Sequence, residues 1–129
     1  MLEAPDQDSF PHGDLTQKII GAAFEVHKHL GYGYLERVYQ RSRQVELLRQ
    51  KIPAELERRM SVRYKDVVVG DYDADLIVAD VVLVELKIAA QYEKRDEAQL
   101  LNALKATGLK LGLLINFGRT KVEFRRFVV

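Results

Sequence analysis

The 129-residue chain contains no cysteine. Disulfide scaffolds, thiolate nucleophiles and cysteine-ligated zinc are therefore excluded. No stretch approaches the roughly 20 apolar residues of a membrane-spanning helix. The opening Met1-Leu2-Glu3-Ala4-Pro5-Asp6 lacks the basic start and apolar core of a signal peptide. A cytoplasmic protein is expected. Neither a G-x-x-x-x-G-K-[ST] loop nor a dinucleotide fingerprint occurs, so nucleotide-cofactor chemistry has no support. Internal repeats and low-complexity runs are absent too. There is almost no net charge: 20 Lys+Arg stand against 19 Asp+Glu, giving +1. That total argues against a simple polycation that coats nucleic acid.

What is there is segregation. Residues 1–35 carry a net −3, residues 36–65 a net +5, residues 66–97 a net −6 and residues 98–129 a net +5. An acidic centre lies between two basic stretches.

Residues 1–13 hold two of the three prolines and no apolar period, and are expected to form a flexible N-terminal tail ahead of a single domain over 14–129. A helix is expected from Asp14, capped by Asp14 or Thr16, because Leu15, Ile19, Ala22, Ala23, Val26 and Leu30 keep a 3.6-residue period. Gly31 and Gly33 stop it. A second helix spans Tyr34 to Gln50, with Leu35, Val38, Tyr39, Val45 and Leu48 as its apolar positions. The period then falls to two. Strands are expected over 56–64, 67–69, 72–78 and 81–88, with a bend or bulge at Gly70-Asp71. A helix follows over 93–107, ended by Gly108, then strands over 109–117 and 121–128. The order α-α-β-β-β-β-α-β-β predicts an α/β chain of α+β type, a mixed sheet with helices packed on it.

The strand Val81-Val82-Leu83-Val84-Glu85-Leu86-Lys87-Ile88 is apolar enough to be internal, yet carries Glu85 and Lys87. Side chains two apart share one face of a strand. Buried charge is costly unless paired or metal-bound, so the plainer reading is a structural Glu–Lys pair or a polar face at a sheet end. The preceding strand adds Asp75. A two-residue hairpin loop would put Asp75 and Glu85 on opposite faces, whereas three residues, Ala79 to Val81, or a bulge would bring them together. Facing carboxylates repel unless a cation or proton intervenes, and oxygen-rich sites suit Mg²⁺ or Mn²⁺. An odd-length loop or a bulge is expected.

Asp75 followed by Glu85-Leu86-Lys87 resembles the signature of the PD-(D/E)XK nuclease superfamily. Gly33-Tyr34-Leu35-Glu36-Arg37-Val38-Tyr39 resembles the motif that names the bacterial GxxExxY family within it. Val26–Gly33, Ala74–Val78, Glu97–Asn102 and Leu113–Gly118 also look like that family, in its order, over roughly residues 15–128. The resemblance implies a restriction-endonuclease-like core and a small Mg²⁺- or Mn²⁺-dependent nuclease that hydrolyses DNA or RNA. It implies Asp75, Glu85, the Leu86 carbonyl and Glu36 as metal ligands, Lys87 as the catalytic lysine, and Gln99 as a further site residue. Three positions depart from it: Ala74 replaces the proline, Ala103 stands where relatives often carry tyrosine, and Asp73 adds negative charge.

Arg37, Arg41, Arg43 and Arg49 on the second helix, Arg58, Arg59 and Arg63 on the next strand, and Lys121, Arg125 and Arg126 near the end are candidate phosphate contacts. Singly, each reads first as a solvated surface group. His27 and His29 do not share a helix face, so a metal pair is not expected. Tyr39 reads as a core aromatic before a base-stacking one. The alternative function is a catalytically inactive module of the same fold that binds nucleic acid or a protein. A third reading is a homodimer through the apolar terminal strand.

Overall fold

Hydrophobic strands buried on both faces must sit at the centre of a layered fold, and Leu111–Asn116 is buried along its whole length. The computed structural model describes residues 2–3, 12–89 and 93–129. Their elements are β1 (Leu2–Glu3), α1 (Gly13–Leu30), α2 (Glu36–Arg49), β2 (Ala54–Tyr64), β3 (Val67–Val78), β4 (Val82–Lys87), α3 (Lys94–Thr107), β5 (Leu111–Asn116) and β6 (Glu123–Val128). One sheet contains all six strands in the order β1-β6-β5-β4-β3-β2. β4 and β5 run parallel, and the other neighbours are antiparallel. A parallel pair needs a long crossover, which α3 provides.

The layers follow from strand alternation. Leu76, Val84 and Leu113 face Ile19 and Ala23 of α1 and Tyr39 and Leu47 of α2. Ile77, Leu83 and Leu114 face Leu100, Ala103 and Leu104 of α3. The result is a mixed α+β fold with helices on both faces of one sheet.

The structure changes several expected details. The strands expected at 67–69 and 72–78 are one strand, so the chain runs β-α-α-β-β-β-α-β-β. Val62 pairs with Gly70 while Arg63 pairs with Val68, so the irregularity is an extra residue held within a continuous ladder. Leu2–Glu3, expected in the loose tail, pair with Val128 and Phe127; Met1 and residues 4–11 of that tail lie outside the described residues. β6 therefore has its outer edge taken at those two positions, and the described residues give no support to a homodimer there. α1 starts at Gly13, and neither Asp14 nor Thr16 caps it. Thr16 is buried, and its hydroxyl donates back to the Gly13 carbonyl.

The inward face of α2 differs most. Tyr39, Gln40, Arg43 and Leu47 are buried, while Leu35, Val38, Val45 and Leu48 are exposed. Two polar side chains occupy the inner stripe, so counting apolar residues points to the wrong face. No helix among the described residues is long and apolar enough to cross a membrane.

Candidate active site

The β3–β4 hairpin closes through Val78↔Val82, Ile77↔Leu83 and Leu76↔Val84, and there its pairing ends. The loop is thus the three residues Ala79–Val81, with φ of 53° at Ala79 and 57° at Asp80. In this register the next pair would be Asp75 with Glu85. Instead the strands part, β3 staying with β2 and β4 with β5 as far as Lys87↔Asn116. The Leu86 N–H is left without a strand partner and donates to Asp75 Oδ2 at 2.9 Å. From α2, Gln40 Nε2 donates to the Asp75 carbonyl at 3.1 Å. The Lys87 carbonyl accepts from the Phe117 N–H on the β5 side. Successive carbonyls alternate along a strand, so the Leu86 carbonyl faces the fork.

The fork opens into a cleft of about 240 Å³ lined by Glu36, Arg37, Gln40, Glu57, Asp75 and Leu86. Glu57 sits between the pairs Leu56↔Leu76 and Arg58↔Ala74, opposite Asp75, with φ of 52°. A non-glycine residue there is strained. Nothing in the local sequence announces this.

Glu85 is half-buried. Burial first, and the Asp75 charge second, push its carboxyl up to about 8. Tyr72 donates its hydroxyl to Glu85 Oε1. Burial and the same two carboxylates raise the Tyr72 phenol above its ordinary range, which keeps it a donor.

On the α3 side, Lys87 Nζ donates to Gln99 Oε1 at 3.2 Å and lies 3.4 Å from Asp96 Oδ1. On the α2 side, Arg43 is 1% exposed, and its three guanidinium nitrogens have no hydrogen-bond partner. It packs 5.7 Å from the centre of the Phe117 ring. Burial lowers its pKa to about 10, while the fields of Asp75 and Glu85 oppose that fall. Arg43 therefore cannot contact a phosphate backbone from the surface, which corrects its grouping with the exposed arginines.

The end of β4 is clamped by Asn116-Phe117-Gly118. Asn116 is buried; its Nδ2 donates to the Ala89 carbonyl at 2.8 Å and its Oδ1 accepts the N–H groups of Ala89 and Gly118. A Cβ on Gly118 would lie 2.5 Å from the Ala89 nitrogen, so the close approach requires glycine. Phe117 stacks on Tyr39 at 4.8 Å and on His27 at 6.4 Å. Tyr39 is a fully buried core residue whose hydroxyl donates to the Gly31 carbonyl and tethers the α1–α2 turn. His27 Nε2 lies 2.8 Å from the Arg119 carbonyl.

Of the remaining basic residues, Arg37 lines the cleft, whereas Arg41 and Arg49 line a separate groove between α1 and α2. Arg58 pairs with Glu55 and Asp80, Arg59 with Asp73, and Arg125 with Glu97. Arg63 donates to the Asp66 carbonyl at 3.2 Å, and Arg126 packs against Phe124. Lys121 is exposed. These residues do not gather around the carboxylates as one bare cationic track. Asp73 is held by Arg59, whose hydrogen bond draws its carboxyl below the usual range.

A family model described as the PD-(D/E)XK nuclease superfamily matches residues 13–127. The chain belongs to the PD-(D/E)XK nuclease superfamily. No curated protein and no solved structure matches it. Its mixed sheet with helices on both faces is the restriction-endonuclease-like fold, and membership brings a nuclease-like function on nucleic acid. Superfamily members generally depend on a divalent metal. The donor set here fits such an ion: two adjacent carboxylates that repel each other, and a strand carbonyl facing the same fork. Among the described residues no three His, Asp or Glu side chains stand close enough to share one metal. Glu36 thus lines the cleft without completing a three-carboxylate cage. Mg²⁺ is commonly held by one or two carboxylates and otherwise by water and phosphate.

Proposed function

We propose that this protein is a divalent-metal-dependent phosphodiesterase of the GxxExxY group, hydrolysing DNA or RNA. The supporting observation is the Asp75–Glu85 pair at the strand fork, where burial and the neighbouring carboxylate push the Glu85 carboxyl up. A cation supplied to that pair relieves both the repulsion and the burial of charge.

Asp75, Glu85 and the Leu86 carbonyl would hold Mg²⁺ or Mn²⁺. Such an ion, when bound, withdraws charge from a phosphate and makes a water more acidic. Lys87, on the same side of β4 as Glu85, would offer its ammonium to the negative charge that develops on a phosphate held there. Gln99 accepts a hydrogen bond from that ammonium and limits its orientations. Tyr72 orients the Glu85 carboxylate through its donated hydrogen bond. Glu36 and Glu57 line the cleft beside Asp75, with Arg37 as the cation available to a phosphate at its rim.

The test pairs binding with cleavage. Mn²⁺ or Mg²⁺ raises the melting temperature of the wild-type protein, as a ligand of the folded state must, and supports cleavage of labelled DNA or RNA. Asp75→Asn loses both. Cleavage that persists undiminished in Asp75→Asn and Glu85→Ala overturns the assignment.

A further inference from the structure

We infer that Asp96 is a positioning residue for Lys87, an inference that rests on the nuclease reading above. Asp96 is the one buried acidic residue among those described. Its two oxygens face different groups. Oδ2 accepts the Glu93 N–H at 3.1 Å, and the Glu93 side chain accepts the Asp96 N–H in return, closing a reciprocal cap at the start of α3. Oδ1 lies 3.4 Å from Lys87 Nζ.

The first contact fixes the carboxylate to the helix, and the second fixes the ammonium to the carboxylate. Lysine carries its charge on a flexible four-carbon stem, so an unrestrained ammonium samples many positions. Here the stem is held at both ends. Its backbone pairs with Asn116, whose side chain grips Ala89 just beyond. Its tip meets Asp96 and Gln99, which are three residues apart and so lie along one side of α3. Gln99 is a neutral acceptor, whereas Asp96 supplies opposite charge from a buried, immobile place. The partner of the lysine therefore comes from the crossover helix and not from the strand that carries it.

Two substitutions separate this role from helix capping. Asp96→Asn retains one oxygen for the Glu93 N–H, but must then turn its NH₂ donors toward the ammonium. Glu93→Ala removes the other half of the cap and leaves the Asp96 carboxylate facing Lys87. The experiment measures ¹³C relaxation of the lysine ε-methylenes in the full chain, with the Lys87 signal assigned by its loss in Lys87→Arg. Steady-state cleavage of a labelled oligonucleotide with Mn²⁺ is measured in parallel.

In the wild type and in Glu93→Ala, the Lys87 ε-methylene order parameter is expected to be the same, and in Asp96→Asn to fall clearly below both. In Asp96→Asn, kcat falls by up to about 100-fold with KM within about twofold. An unchanged Lys87 order parameter in a folded Asp96→Asn overturns the inference. So does equal loosening in Glu93→Ala, which would assign the effect to the helix start. Loosening with kcat unchanged overturns it as well. If the wild type cleaves neither DNA nor RNA, the nuclease reading fails instead, and the relaxation data alone still decide whether Asp96 holds Lys87.

Discussion

Two cations approach the Asp75–Glu85 pair from opposite faces of the sheet, and they are held in opposite ways. Lys87, on the α3 face, is 30% exposed at its side chain and has two partners. Arg43, on the α2 face, is buried against the Phe117 ring and has no hydrogen-bond partner. A charge with fixed partners and access to solvent is equipped to meet a substrate. A charge sealed in the interior acts only through its field, and it incurs the cost of burial without hydrogen bonds to offset it. The pair of carboxylates thus has one working cation and one internal counter-charge.

The sharpest way to break this comparison is to remove each cation's charge. Lys87→Met should reduce metal-dependent cleavage by about 10²–10³-fold, the usual cost of losing one donor to the developing charge. Arg43→Met should leave the cleavage rate within about threefold, since the guanidinium touches no substrate. Equal losses in the two variants, measured on the same labelled substrate, would erase the distinction.

The next effect is on pH dependence. Folded Glu85 keeps its proton to about pH 8, against an ordinary value of 4.5. Between these values the unfolded chain binds fewer protons at this residue than the folded one. Metal-free stability therefore falls as pH rises through that window, by at most about 1.4 kcal/mol per unit from this residue. Urea denaturation at several pH values should show the fall, and Glu85→Gln should flatten it. A flat wild-type profile would mean that the two cations already balance the pair.

Smaller still is the stability change in Arg43→Met. Replacing a buried, unpartnered charge by an apolar group of similar length is expected to stabilise the metal-loaded protein by about 1 kcal/mol or more. A loss of stability would show that the field of Arg43 on the carboxylates outweighs its own burial. The smallest effect belongs to surface pairs such as Arg125–Glu97. Arg125→Ala should shift stability by less than about 1 kcal/mol, with a shift above 2 kcal/mol in denaturation contradicting the surface reading.

Much of this was legible in consecutive residues. Apolar spacing places the three described helices and the strands of the core, and in α1, α3 and the strands it also reports the face that the segment must bury. Gly108 ends α3 with a left-handed φ of 75°, as a glycine after a helical run suggests. Period two also puts Glu85 and Lys87 on one side of β4 without reference to any partner. The α2 face was not legible, because Gln40 and Arg43 take inner positions that polarity would send outward. Asp96 was equally hidden: read alone it is one more solvated acid, and only the crossover of α3 sets it beside Lys87.

The sequence by itself determined which residue types are present, the elements they form and the motifs that point to a metal-dependent nuclease. Those properties depend on residues near one another along the chain. The tertiary structure decided the rest: the three-residue loop and its register, the parting of β3 from β4 that hands the Leu86 N–H to Asp75, the burial of Arg43, and the pairing of Arg58, Arg59 and Arg125 with acids. Each depends on which distant segment packs alongside, and burial and charge pairing are properties of neighbours in space.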